Sequence, residues 1–159
     1  MLHEANLAFI GGGIMAEAMI QGVLRQGLLP PNQIIASGPR EKRREELAQR
    51  YGIGVTVDNR EVVRVGDIVV LSVKPQVLPK VLPELRGLLR SEQLVLSIVA
   101  GARIAAIAAG LELERVFTSS DLVRGGDVFF AVTGITDGEL VRGVRYFADG
   151  ARTHSIVMR

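Results

Sequence analysis

A chain of 159 residues, 48% of them apolar, can bury the core of one compact domain with an appendage. With no cysteine and a net charge of only +2, it excludes a disulfide scaffold, a thiolate metal site and a basic nucleic-acid stripe, and no run is long and apolar enough to span a membrane. Met1 to Asn6 lacks the basic and apolar regions of a signal peptide, so a cytoplasmic location is expected.

Leu7 to Ile10 is a short apolar run that predicts a buried parallel strand. Gly11, Gly12 and Gly13 follow at once. Ile14, Met15, Ala18, Met19 and Val23 then recur at helical spacing, so the stretch reads as strand, glycine turn and helix. Gly11, Gly13 and Ala16 occupy the three places of G-x-G-x-x-A. In a dinucleotide site the first glycine turns the chain sharply and the second lets a pyrophosphate approach the backbone. The small third residue lets helix and strand pack closely. The helix N-terminus then offers N–H groups and partial positive charge to the phosphates. The alternative is a tight strand-to-helix turn with no ligand.

Gly27 and Pro30-Pro31 break the first helix, and Gln33 to Ser37 reads as the next strand. A helix from about Arg40 to Tyr51 puts Leu47 on its inner face and stops at Gly52. The dense basic cluster Arg40, Lys42, Arg43 and Arg44 lies here, diluted by Glu41, Glu45 and Glu46. Val55 to Val57 is a short extended piece, and Asn59 is expected to cap a short helix ending near Val65. Asp67 to Val73 is a continuous apolar strand of the kind covered on both faces. Val77 to Leu89 is helical, with Pro79 and Pro83 near its start. Leu94 to Val99 is a strand, and Arg103 to Ala109 a helix stopped by Gly110. Strands alternating with helices at these lengths predict an α/β fold, a Rossmann-like, doubly wound, mostly parallel sheet.

The pattern changes after about residue 114. Of seven Phe and Tyr residues, five lie beyond residue 115, whereas all six prolines lie before residue 84. Strands are expected at Arg115 to Ser119 and Asp127 to Thr133. Gly143 to Phe147 and Thr153 to Met158 form an expected hairpin about Asp149-Gly150. The division is therefore a dinucleotide-binding half-domain over 1–114 and a β-rich segment over 115–159 that completes or extends it.

An NAD site has an acid at the end of the second strand, about 20 residues past the glycines, for the ribose 2′-OH. Here Ala36-Ser37-Gly38-Pro39-Arg40 has a hydroxyl and a guanidinium instead, which suit a 2′-phosphate. NADP is favoured over NAD. On position alone, Arg40 also reads as a solvated first-turn residue. Val73-Lys74-Pro75 lies at the carboxyl end of the third strand and Ala100-Gly101 just past the fourth, where ligands of open α/β sheets sit. Lys74 reads equally as a surface lysine.

Phe9 to Ala18, Val73-Lys74-Pro75-Gln76 and Ser97 to Gly101, in this order and spacing, resemble pyrroline-5-carboxylate reductase over about residues 5–112. The resemblance implies a Rossmann domain for NADPH. It would place Gly11, Gly12, Gly13, Ile14, Met15 and Ala16 at the pyrophosphate. Ser37 and Arg40 would lie near the 2′-phosphate, with Asn59 near that ribose. Val73, Lys74, Pro75, Ala100 and Gly101 would lie on the nicotinamide side. Ile14 departs from the polar residue more usual in that family.

The reductase's Met-Pro-Asn motif and helical domain do not follow. Phe129 to Leu140, Gly143 to Tyr146 and Ala151 to Ser155 are instead similar to the C-terminal part of class II (GlpX-type) fructose-1,6-bisphosphatase, over about residues 115–159. The two resemblances imply a join near residues 112–117, read as an engineered, recombinantly expressed chimera, with a natural fusion as the alternative. Its expected function is weak NADP(H) binding without turnover; the alternative is NADPH-dependent pyrroline-5-carboxylate reduction. No metal is expected. Asp121, Asp127, Asp137 and Glu139 read as solvated or capping groups rather than phosphatase ligands, and His154 as a sheet-face histidine. A homodimer through a sheet edge or exposed apolar surface is the expected partner.

Overall fold

A computed structural model of the chain describes residues 4–90, 93–112, 144–148 and 152–156. Five parallel strands form one sheet: β1 (Leu7–Ile10), β2 (Ile34–Ser37), β3 (Gly54–Thr56), β4 (Ile68–Leu71) and β5 (Leu94–Ser97), in the order β3-β2-β1-β4-β5. Between them run α1 (Ile14–Arg25), a 3-10 turn at Pro31–Gln33, α2 (Glu41–Tyr51), α3 (Asn59–Val65) and α4 (Leu78–Glu84). Helix α5 (Ile104–Leu111) follows β5. The chain winds outward from β1 first to one side and then to the other, so β1 and β4 flank the point where the strand order reverses. Phe9 pairs with Ala36 on one side and Val70 on the other. A ligand crevice opens at the carboxyl ends of such neighbouring strands.

Side chains alternate across a strand, and this alternation divides the core. Leu7 and Phe9 pack on one face with Ala16, Ile20, Ala36, Leu47 and Val70, beneath α1 and α2. Ala8 and Ile10 pack on the other with Val62, Val69, Leu71, Leu82 and Ile107, beneath α3, α4 and α5. Burial on both faces is why these strands read as unbroken apolar runs.

The structure corrects several local expectations. The inner stripe of α1 is Ala16, Met19, Ile20, Val23 and Leu24, at spacings of three and four residues. Ile14 and Met15, expected on that face, are 83% and 64% exposed. They share its apolar character but sit about a quarter-turn or more away from it. Asp58, rather than Asn59, caps α3, its carboxylate accepting the Arg60 N–H. Helix α4 ends at Glu84, short of Leu89: Leu85 turns back to the Leu82 carbonyl, and Gly87, at φ +69°, leaves the right-handed helical region. Gly110 lies inside α5, and Glu112, at φ 55°, ends it.

The expected C-terminal hairpin is present: β6 (Val144–Ala148) pairs antiparallel with β7 (Arg152–Ile156), Tyr146 opposite His154. The strands expected at 115–119 and 127–133, and Asp121, Asp127, Asp137 and Glu139, lie outside the described residues. Among the described residues, no helix is long and apolar enough to cross a membrane.

Candidate functional site

The glycine turn closes the carboxyl end of β1 and opens α1. Gly11 has φ +104°, which L side chains rarely adopt, and a Cβ there would lie 3.0 Å from both the Ser72 carbonyl oxygen and Val73 Cγ1. Gly12 is tight for another reason: a Cβ would lie 2.7 Å from Leu47 Cδ1. Gly13 is the N-cap of α1 in ordinary extended geometry, and a Cβ there would meet nothing within 4 Å. The turn is therefore packed beneath and open above. Ala16, the third motif position, is fully buried against the sheet.

Two serines hold the turn. Ser37, at the end of β2, is 1% exposed; its Oγ accepts the Gly11 N–H at 3.2 Å and donates to Asn59 Oδ1 at 2.6 Å. The Asn59 amide in turn donates to Glu84 Oε2 at 3.0 Å. Ser72, just past β4, donates its hydroxyl to the Gly11 carbonyl at 2.7 Å. Ser37 thus supports the turn rather than presenting its hydroxyl to a 2′-phosphate, and Asn59 has both ends of its amide engaged.

Arg40 lies at the start of α2, exposed, and its side chain makes no hydrogen bond or ion pair among the described residues. Its neighbour Arg44 is held by the Gly38 carbonyl at 2.6 Å. Val73, Lys74 and Pro75 follow β4, and Ala100 and Gly101 follow β5. Lys74, Pro75, Ala100 and Gly101 are exposed. The residues expected at the cofactor therefore lie along the carboxyl edge of the sheet, with Ser37 buried and Asn59 half-buried.

One group was missed. Glu17, in the first turn of α1, accepts from Arg43 at 2.6 Å, Tyr51 at 2.8 Å and Arg50 at 3.0 Å, all from α2. Arg43 also donates through Nε to the Gly12 carbonyl at 2.9 Å. The hydrogen bonds from Arg43 and then Tyr51 hold the Glu17 carboxyl below its ordinary 4.5. The same contact raises Arg43 and Tyr51. A signal was available: positions 43, 50 and 51 share one face of α2, seven and eight residues apart.

This network carries a pH dependence. Because the folded value of Glu17 lies below the unfolded one, its contribution is complete above about pH 4.5 and is lost as pH falls through the folded value. Melting from about pH 5 to about pH 3 should therefore show a steeper loss of Tm for the parent than for Glu17→Gln. Equal slopes would remove Glu17 from the acid response.

Comparison with known proteins places these features. Residues 6–101 match the family described as NADP oxidoreductase coenzyme F420-dependent. Residues 89–159 match bacterial fructose-1,6-bisphosphatase, glpX-encoded, so the two stretches overlap at 89–101. The pyrroline-5-carboxylate reductase of Methanosarcina acetivorans is 35% identical over 142 residues, 87% of this chain and 51% of that relative. Among solved structures, the corresponding reductase of Coxiella burnetii is 32% identical with TM-score 0.65, covering 69% of this chain and 40% of that one. The pyrroline carboxylate reductase of Plasmodium falciparum, solved with NADP bound, is 25% identical with TM-score 0.62, covering 72% and 40%. The chain spans about half the length of the first of these relatives.

Proposed function

Through residues 6–101 the chain belongs to the family described as NADP oxidoreductase coenzyme F420-dependent, and on that premise we propose that it binds NADP(H) at the β1–α1 turn. Its N-terminal part is a Rossmann domain like that of pyrroline-5-carboxylate reductase, joined to a segment like the C-terminal part of the bacterial phosphatase.

The observation that carries the proposal is the contrast within the turn. Gly11 and Gly12 are walled in, while Gly13 faces open space at the N-terminus of a 12-residue helix. A diphosphate fits where a Cβ is missing, against N–H groups at the positive end of α1. Past β2 stands Gly38-Pro39-Arg40 with no acid, and Arg40, exposed and without a side-chain partner among the described residues, would meet a 2′-phosphate. NADPH supplies a hydride from its nicotinamide when bound. Val73 to Pro75 and Ala100-Gly101 would border that ring.

Calorimetric titration tests this reading. The chain should bind NADPH more tightly than NADH. Arg40→Ala should lower NADPH affinity about tenfold, the loss of roughly one charged hydrogen bond, and leave NADH unchanged. Equal affinities for the two cofactors in the parent would overturn the assignment of Arg40.

We also propose that the chain is a chimera without turnover of its own. The support is that two enzymes of different chemistry match its two parts, and that Lys74, Ala100 and Gly101 are exposed, with no second wall for an imine among the described residues. The second reading, NADPH-dependent reduction of pyrroline-5-carboxylate, is favoured by the 35% identity to the Methanosarcina reductase. NADPH oxidation on adding that imine would select it.

A further inference from the structure

We propose that Arg43 is a positioning residue for the phosphate turn, an inference that rests on the NADP(H) reading above. The Arg43 Nε holds the Gly12 carbonyl at 2.9 Å, and its Nη2 lies 3.4 Å from the Gly13 carbonyl and 2.6 Å from Glu17 Oε2. The Gly13 carbonyl also accepts the Glu17 N–H at 3.0 Å.

Every peptide described is trans. In a trans peptide the C=O and the following N–H point in opposite directions. Fixing the Gly12 carbonyl toward α2 therefore turns the Gly13 N–H away from it. Fixing the Gly13 carbonyl along α1 likewise turns the Ile14 N–H outward. Both donors then face the open side of the turn, where a Cβ on Gly13 would meet nothing within 4 Å. Without Arg43, the Gly12–Gly13 peptide would lose the hydrogen bond on its carbonyl, between two glycines that restrain its rotation little.

The guanidinium is itself held. Glu17 takes its Nη2, Tyr51 and Arg50 close around the same carboxylate, and Glu46 lies 3.5 Å from Nη1. A planar fork reaches both the Gly12 carbonyl and Glu17, and a single ammonium cannot match that geometry. Arg44 does similar work on the β2–α2 loop, through the Gly38 carbonyl. Of the three arginines at the start of α2, Arg40 alone has no side-chain partner among the described residues. The structure thus separates an arginine that positions the pyrophosphate donors from one that meets the 2′-phosphate.

Two ligands distinguish the roles. NADPH carries both a pyrophosphate and a 2′-phosphate, whereas 2′-AMP carries only the latter. Arg43→Gln should weaken NADPH about tenfold while leaving 2′-AMP within about twofold, whereas Arg40→Ala should weaken both. Arg43→Lys should recover part of the loss. Glu17→Gln, which keeps Arg43 but loosens its anchor, should move NADPH in the same direction by less. Unchanged NADPH affinity in Arg43→Gln, or equal losses for NADPH and 2′-AMP, would overturn the proposal while leaving the cofactor reading intact. A parent chain that takes up neither ligand would overturn the cofactor reading, and this inference with it.

Discussion

A valine at position 13 is expected to abolish measurable NADPH binding and leave the fold standing. Gly13 has φ −75° and ψ −172°, a conformation any residue adopts, so the backbone imposes no penalty. A Cβ there meets nothing within 4 Å, so packing imposes none either. The remaining cost is that of a poor N-cap, about 1 kcal/mol. The ligand meets a different situation. The valine methyls would fill the space through which a diphosphate reaches the first N–H groups of α1. Losing two hydrogen bonds to a charged group, at about 1.5–3 kcal/mol each, weakens binding at least about a hundredfold. Calorimetry beside a thermal melt reads both quantities on one sample. NADPH binding retained in Gly13→Val would place the phosphates elsewhere.

Gly11→Ala should behave in the opposite way, losing stability first. Its φ of +104° lies outside the region open to alanine, which costs about 1–3 kcal/mol. The new methyl would also lie 3.0 Å from the Ser72 carbonyl oxygen, a backbone atom at the end of β4 that cannot swing aside. Overpacking of this kind adds about 1–3 kcal/mol. Moving the turn to relieve it would strain the bonds that Ser37 and Ser72 make to Gly11. A total of about 2–6 kcal/mol is a large share of the roughly 5–15 kcal/mol that holds a domain folded. A urea midpoint equal to that of the parent would show that the turn tolerates a side chain and that its geometry is not what demands glycine.

The two substitutions mark what could be read along the chain. Which glycine turns the backbone follows from the order strand, turn, helix: Gly11 takes φ +104°, while the space beside Gly13 is open. The doubly wound sheet was legible for a similar reason. Runs such as Leu7–Ile10 and Ile68–Leu71 are apolar throughout only when both faces are covered. The hairpin of β6 and β7 was legible from alternation about Asp149-Gly150.

Side-chain roles were less legible. Ser37 reads as a ligand hydroxyl at the end of a strand, yet the strand carries it 1% exposed beneath the glycine turn. Asp58 and Asn59 are both good caps, and sequence alone does not choose between them. The choice falls to Asp58 because the amide of Asn59 is engaged with Ser37 and Glu84. Ile14 and Met15 look like the start of the inner stripe of α1, but the angle at which the turn launches that helix aims them at solvent.

Backbone conformation and burial pattern are set within a few residues, by steric limits on φ and by the period of apolar side chains. The sequence by itself therefore determined the strands of the parallel sheet, the glycine turn, the doubly wound class and the absence of an acid after β2, whereas the strand order came from the structure. Partnerships across helices depend on where two elements land on the same face of the sheet. Only the tertiary structure could bring Glu17 of α1 to Arg43, Arg50 and Tyr51 of α2, because the sheet sets the distance and angle between the two helices. The same docking set Arg43 against the Gly12 carbonyl behind the glycine turn, while Arg40, three residues earlier, has no side-chain partner among the described residues.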